Sequence, residues 1–285
     1  MFPLTQITTY AVPVVSSIGV ALGVTVSSEV ADHSRERAAA YETAAEAGCE
    51  RALPAFQQLA ARTGRAADHL AAANCALELG ERERAIGALQ VVLAHRSELD
   101  RADQVYALRT YAYQAEAVGD RAGAAAAWAD AFDVSTDAAD AVQAARTARV
   151  SGNRAAAAEV LAEVRETRLE GETLAAFLAE RAYVHSARGR HAAAVDDLAR
   201  AITVVDTAEL RFRHGLALAE AGMARSAIHS LERARQGLGD DPDLLLPLAY
   251  AYRNTGQTAR AAALFQQAWR EDQRMARFAR DFEVR

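Results

Sequence analysis

The residues from which catalysis or metal binding could be built are few and scattered. Seven His and two Cys are spread through 285 residues. His185 and His191 lie on opposite sides of Gly189, an arrangement that fits a turn and not two ligands on one helix face. Cys49 and Cys75 form no C-x-x-C unit. Two acidic pairs stand out. Asp196-Asp197 reads as the solvated face of a helix, and Asp240-Asp241 as a turn that caps the helix opened by Pro242. Neither is placed as a general acid and base. The chain has no H-E-x-x-H, no G-x-S-x-G and no Gly-rich dinucleotide loop. It also has no Lys, which removes P-loop, Schiff-base and Ser-Lys chemistry. The expectation is a protein that is not an enzyme and holds no cofactor and no metal.

The elements carrying these residues follow from composition and pattern. Hydrophobic residues make up 51% and aromatic residues 6%, with only five Pro and a net charge of −6. Ala supplies much of the apolar share, so helices are expected to pack closely through small side chains. This balance excludes a disulfide-framed mini-domain, a disordered chain and a broadly basic nucleic-acid binder.

Internal periodicity is the strongest signal. The clearest unit reads Leu245-x2-Leu248-Ala249-x2-Tyr252, then Gly256, then Ala261-x3-Phe265-x2-Ala268. Leu245, Leu248 and Tyr252 share one helix face, Gly256 suits a tight turn, and the Ala positions let two helices approach. The same skeleton recurs at Gly80, Gly119, Gly152, Gly189 and Gly222, with a degenerate first copy turning at Ala47. Turn positions 47, 80, 119, 152, 189, 222 and 256 are separated by 33, 39, 33, 37, 33 and 34 residues. The two long intervals place extra residues near Arg96–Ala102 and Glu166–Glu172. Trp128 and Trp269 fall at or beside the aromatic position of second helices, where core packing is expected.

This pattern resembles the tetratricopeptide (TPR) repeat from about Arg35 to Asp272. The resemblance implies an all-α, right-handed superhelix of about six to seven antiparallel helix pairs. Residues after Arg270, with Met275, Phe278 and Phe282, read as a C-terminal capping helix. The expected division is an uncharged hydrophobic segment at 1–33 and a solenoid with its cap at 34–285. TPR proteins bind peptides or partner domains, so a non-catalytic interaction scaffold with a protein or extended-peptide partner is expected. Polysaccharide is a second ligand class, and nucleic acid is not expected.

By TPR geometry the first helix of each pair lines the concave groove. Counting back six residues from each turn gives Asn74, Tyr113, Arg146, Tyr183, Leu216 and Tyr250. One helical turn earlier lie Arg109 and Phe212; one turn later lie Arg149 and Arg253. Tyr and Arg supply rigid amphipathic surface and bidentate donors, residue types enriched at binding hot spots. These side chains could equally be ordinary fillers of the inner wall. Capture of acidic chaperone tails by a Lys- and Asn-rich clamp is not expected, because Lys is absent and Asn74 and Asn254 sit far apart. The stack would bring Cys49 and Cys75 to similar levels, leaving two readings: a disulfide in an exported chain, or two separate buried thiols.

Residues Met1 to Ser28 carry no charged side chain, and 11–26 are predominantly apolar. That length barely suffices for a spanning helix, and Pro13 with two Gly weakens it. Gly19-x-x-x-Gly23 has the spacing of close membrane-helix packing. A signal or membrane anchor through residues 8–28 is preferred to a segment docked on the solenoid, although no basic n-region is present. The Arg-rich, Lys-free composition fits a GC-rich bacterial coding bias. The expected location is therefore the bacterial cell envelope, periplasmic or membrane-tethered, with a cytoplasmic adaptor as the alternative. A further alternative is a truncated or stand-alone array of the kind found in outer-membrane polysaccharide exporters and phage-adsorption proteins.

Overall fold

A computed structural model describes residues 28–282, with side chains from His33 onward. The signal, anchor and docked-segment readings of the N-terminal stretch fall outside the described residues. Within them the chain forms fourteen α-helices in seven consecutive pairs. The pairs are α1 (Ser28–Ala47) with α2 (Cys49–Thr63), α3 (Ala66–Glu78) with α4 (Arg82–Ala94), and α5 (Arg101–Ala117) with α6 (Arg121–Ser135). They continue with α7 (Ala138–Val150) and α8 (Arg154–Ala162), α9 (Gly171–Ala187) and α10 (His191–Val204), and α11 (Ala208–Glu220) and α12 (Ala224–Leu238). The last pair is α13 (Pro242–Asn254) with α14 (Thr258–Glu271). This is the all-α, antiparallel-pair architecture of a TPR solenoid. The first helix starts at Ser28, ahead of the boundary at residue 34.

The turn within each of the last six pairs has one chemistry. Gly80, Gly119, Gly152, Gly189, Gly222 and Gly256 all adopt positive φ, between 72° and 86°. The following amide reaches back to close the helix end, as in Glu81 N–H to Ala76 C=O at 2.8 Å and Gln257 N–H to Tyr252 C=O at 2.9 Å. This pairing needs a left-handed residue, which glycine supplies without a Cβ penalty. The first pair departs from the expectation: α1 runs through Ala47 and the turn residue is Gly48, at φ 79°. Ala47 resists positive φ, so the helix continues until a glycine is available.

Each second helix buries its Ala against its partner, with Ala52, Ala85, Ala124, Ala194 and Ala227 fully covered. Four residues further on, Phe56, Leu89, Trp128, Leu161, Leu198, Leu231 and Phe265 fill the core between neighbouring pairs. The long intervals contain short 3-10 helices, Arg96–Glu98 and Glu166–Arg168, which absorb the added residues between pairs. The C-terminal cap, Gln273–Phe282, is a 3-10 helix that buries Met275 and Phe282 against the last pair.

Cys49 and Cys75 are joined in a disulfide, with their Cα atoms 4.9 Å apart. The alternative of two separate thiols is thereby set aside, and α2 is stapled to α3. Asp197 corrects a second expectation. It is buried instead of solvated, because Arg181 from the paired helix α9 donates to both of its oxygens at 2.8 and 2.6 Å. Asp196 beside it stays exposed. Asp241 caps α13 as expected, accepting from the Asp243 N–H at 2.8 Å.

Helix α11 carries Gly215 where the other first helices carry Ala73, Ala112, Ala145, Ala182 and Ala249. A Cβ at Gly215 would stand 2.6 Å from Leu231 Cγ of α12. Gly215→Ala is therefore expected to destabilise the fold by about 1–3 kcal/mol, despite alanine's better helix propensity. Urea denaturation followed by circular dichroism measures this, and a more stable variant would refute so close an approach.

Candidate functional site

All ten side chains expected in the groove lie on first helices: α3, α5, α7, α9, α11 and α13. Their surroundings divide them into groups. Arg109 is engaged within the chain, its Nε and a terminal nitrogen donating to Asp140 at 2.7 and 2.8 Å. The same terminal nitrogen also reaches Asp137 at 2.8 Å, and Ser135 donates to Asp140 at 2.6 Å. An equivalent clasp stands two repeats upstream, where Arg37 donates to both oxygens of Asp68 and Thr63 adds a hydroxyl at 2.7 Å. Burial pushes the Asp68 carboxyl upward, but hydrogen bonds from Arg37 and Thr63 outweigh it and hold it below the ordinary range. Each clasp ties one first helix to the next.

Arg149 of α7 donates to Glu180 of α9 at 2.8 Å, and its guanidinium lies 5.5 Å from the centre of the Tyr183 ring. Glu180 also accepts from Arg213 of α11 at 3.1 Å, so one buried carboxylate serves two guanidinium groups. Asn74 accepts from the Tyr106 hydroxyl at 3.0 Å, and Phe212 and Leu216 are half-buried.

Tyr250 and Arg253 are covered by the C-terminal cap. The Tyr250 hydroxyl donates to the Asp281 carboxylate, while Arg253 donates to the Asp281 carbonyl at 2.8 Å. Phe282 stacks on Phe265 at 4.6 Å and lies 4.9 Å from Tyr250. Burial, then the Asp281 contact, pushes the Tyr250 phenol up to about 12. Both side chains are half-buried and hold the cap.

Tyr113 and Arg146 differ from the rest. Tyr113 is 57% exposed and meets Trp128 edge-to-face at 4.8 Å. The Trp128 indole N–H is buried without a hydrogen-bond partner among the described residues. Arg146 is exposed and makes no ion pair among the described residues. Tyr41, which the sequence reading passed over, repeats the Tyr113 arrangement: 52% exposed, and 5.0 Å from Phe56 edge-to-face. The same count of six residues back from position 47 finds it.

Away from this wall, the inserted 3-10 helix at Glu166–Arg168 borders a cleft of about 630 Å³ lined by Phe132, Asp137, Arg165, Arg168 and Leu169. No group of His, Cys, Asp and Glu that could hold a metal occurs among the described residues.

The paired helices, the repeated glycine turns and the Ala-lined contacts define a TPR-type solenoid. Consistent with this, residues 218–280 match the tetratricopeptide repeat family profile. Similar solved structures include the C-terminal part of a TPR repeat-containing protein from Cytophaga hutchinsonii, with 15% identity and a TM-score of 0.55 over 83% of this chain and 95% of that one. A tetratricopeptide repeat protein from Parabacteroides merdae gives 10% identity and a TM-score of 0.51, covering 88% and 98% of the two chains. A chain of the APC/C hetero-tetramer Cut9-Hcn1 gives 13% identity and a TM-score of 0.55, covering 86% of this chain and 44% of that one. At these identities the likeness is one of fold. No curated protein matches the sequence.

The Asp68 clasp yields a test with a defined pH dependence. Asp68→Asn removes the charge facing Arg37 and is expected to cost roughly 1.5–3 kcal/mol at neutral pH. Because the folded carboxyl titrates below its unfolded value, the clasp's contribution is present above about pH 4 and lost as pH falls through the lowered value. The stability gap between wild type and variant should therefore be constant from pH 5 to 7 and shrink in acid. A gap that widens on acidification would contradict the assignment.

Proposed function

We propose that the protein is a non-catalytic interaction scaffold that takes an extended peptide or partner segment along the wall formed by its first helices. The observation carrying this reading is that Tyr113 and Arg146, on consecutive first helices, present exposed heads with no ion-pair or hydrogen-bond partner among the described residues. An exposed aromatic ring held edge-on by a buried Trp is a rigid contact surface. The Arg146 guanidinium on the next first helix adds directional donors.

The proposed location is the bacterial cell envelope. Two features support it: the uncharged segment Met1–Ser28, and the Cys49–Cys75 disulfide, a bond that persists in oxidising compartments. No helix among the described residues is long and apolar enough to cross a membrane. Membrane association in this reading rests on residues 8–28. Fractionation of the producing cells, with mass spectrometry under non-reducing conditions, should recover the chain outside the cytosol with Cys49 and Cys75 bonded. Cytosolic recovery with both thiols free would replace this location with a cytoplasmic adaptor.

The wall itself is tested by replacing Tyr183 and Arg146 together with Ala and measuring affinity for a partner isolated with the wild-type chain. A loss of about 2 kcal/mol or more per true hot spot is expected, with the helical circular dichroism unchanged. Wild-type affinity in the double variant would move the interaction off the first helices.

A further inference from the structure

Consecutive antiparallel pairs point every first helix the same way, so the turns within pairs share one edge of the solenoid and the loops between pairs share the other. First helices adjoin in order, α7 to α9, α9 to α11 and α11 to α13, which makes successive turns neighbours. A side-chain contact bridges two of them: His191 Nδ1, after Gly189, stands 3.3 Å from Glu220 Oε2, before Gly222.

Charge is divided between these two edges. The last four turns, residues 148–157, 185–194, 218–227 and 252–261, hold seven Arg and a single acid, Glu220. The inter-pair loops of the same half, residues 163–172, 201–210 and 234–243, hold nine acids and three Arg. The three earlier turns, residues 44–53, 76–85 and 115–124, hold seven acids and four Arg. A net charge of −6 therefore conceals a basic strip on the turn edge of the last four pairs.

Two of the seven Arg are engaged, Arg149 by Glu180 and Arg253 by the cap. The other five, Arg154, Arg188, Arg190, Arg225 and Arg260, are exposed and make no ion pair among the described residues. Two apolar side chains stand among them in the open, Val150 at 49% and Met223 at 48% exposure. The one aromatic ring in these turns, Tyr252, is buried. Guanidinium groups grip phosphate oxygens through paired hydrogen bonds. A single-stranded polyanion calls for stacking rings beside the cations. Isolated apolar side chains among cations suit the boundary between headgroups and acyl chains.

We propose that the turn edge of the last four pairs docks on an anionic lipid surface, with Arg154, Arg188, Arg190 and Arg225 at the phosphates and Val150 and Met223 at the acyl boundary. This edge is separate from the first-helix wall, and the docking does not depend on peptide capture there. The acidic loops opposite are repelled by the same surface, which turns the basic edge toward the lipid.

The test is flotation of the full chain with vesicles of phosphatidylcholine alone and of phosphatidylcholine with equimolar phosphatidylglycerol. Met1 to Ser28 carry no charged side chain, so their contribution is common to both vesicles and the difference isolates the edge. The wild type should prefer the anionic vesicles, and Arg154→Gln/Arg190→Gln/Arg225→Gln should lose about a hundredfold of that preference, with helical circular dichroism unchanged. A second measurement does not need that variant. Cys49 and Cys75 are bonded and are the only Cys, so Met223→Cys and Leu238→Cys each offer a single thiol to an environment-sensitive dye. The two positions flank α12 at opposite ends, about 22 Å apart. Anionic vesicles should shift the dye emission to the blue at position 223 and leave it unchanged at position 238. Equal affinity of the wild type for both vesicles, an undiminished preference in the triple variant, or a shift at position 238 without one at 223 would overturn the proposal and leave the scaffold reading in place. Tighter binding to duplex DNA than to anionic vesicles at equal phosphate would overturn it in favour of a nucleic acid.

Discussion

Close approach of helices through alanine is the constraint on which the rest of the structure depends. In every pair the second helix presents a buried Ala to its partner, and the first helix presents Ala or Gly215 in return. Small residues at both points let the backbones come together and leave only Leu, Phe or Trp to fill the remaining space between pairs. The consequence is a layer thin enough that each first helix also touches the next first helix, as α7 does α9 and α9 does α11. A continuous wall of first helices follows from the size of a few side chains.

That contact explains why the wall is laced with ion pairs. Arg37 with Asp68, Arg109 with Asp140 and Arg149 with Glu180 are all 31 residues apart, one repeat of rise. Tyr250 and Asp281 keep the same separation, so the 3-10 cap stands where the first helix of a further pair would pack. Buried pairs of this kind are costly to desolvate and are better read as fixing the register of neighbouring helices than as large net stabilisers. They also remove most of the cationic heads from service. Arg146 remains because no acid lies one repeat further on in position to meet it.

Much of this was legible in the sequence. The period, the glycine turns, the 3-10 insertions as extra residues and the cap as Met275, Phe278 and Phe282 all follow from local chemistry that repeats. The first turn was misplaced because Ala47 occupies the turn register while Gly48 alone tolerates the conformation. The burial of Asp197 was not legible, since its partner Arg181 comes from another helix and no helical i,i+4 rule relates them. The engagement of Arg109, Arg149, Tyr250 and Arg253 was hidden for the same reason. Here a signal did exist: a basic residue followed by an acidic one 31 positions later recurs through the chain. The Cys49–Cys75 bond depended on the relative level of two helices, which the spacing of 26 residues leaves open.

In the proposed scaffold, first helices and not second helices carry recognition. Photo-crosslinking places a bound ligand directly. A dodecapeptide selected on the full chain, synthesised with a diazirine amino acid at its centre, would be irradiated in complex and the adducts mapped by mass spectrometry. The account predicts adducts on α5, α7 and α9, concentrated around Tyr113, Arg146 and Tyr183. Adducts on α6, α8 and α10 instead would contradict it.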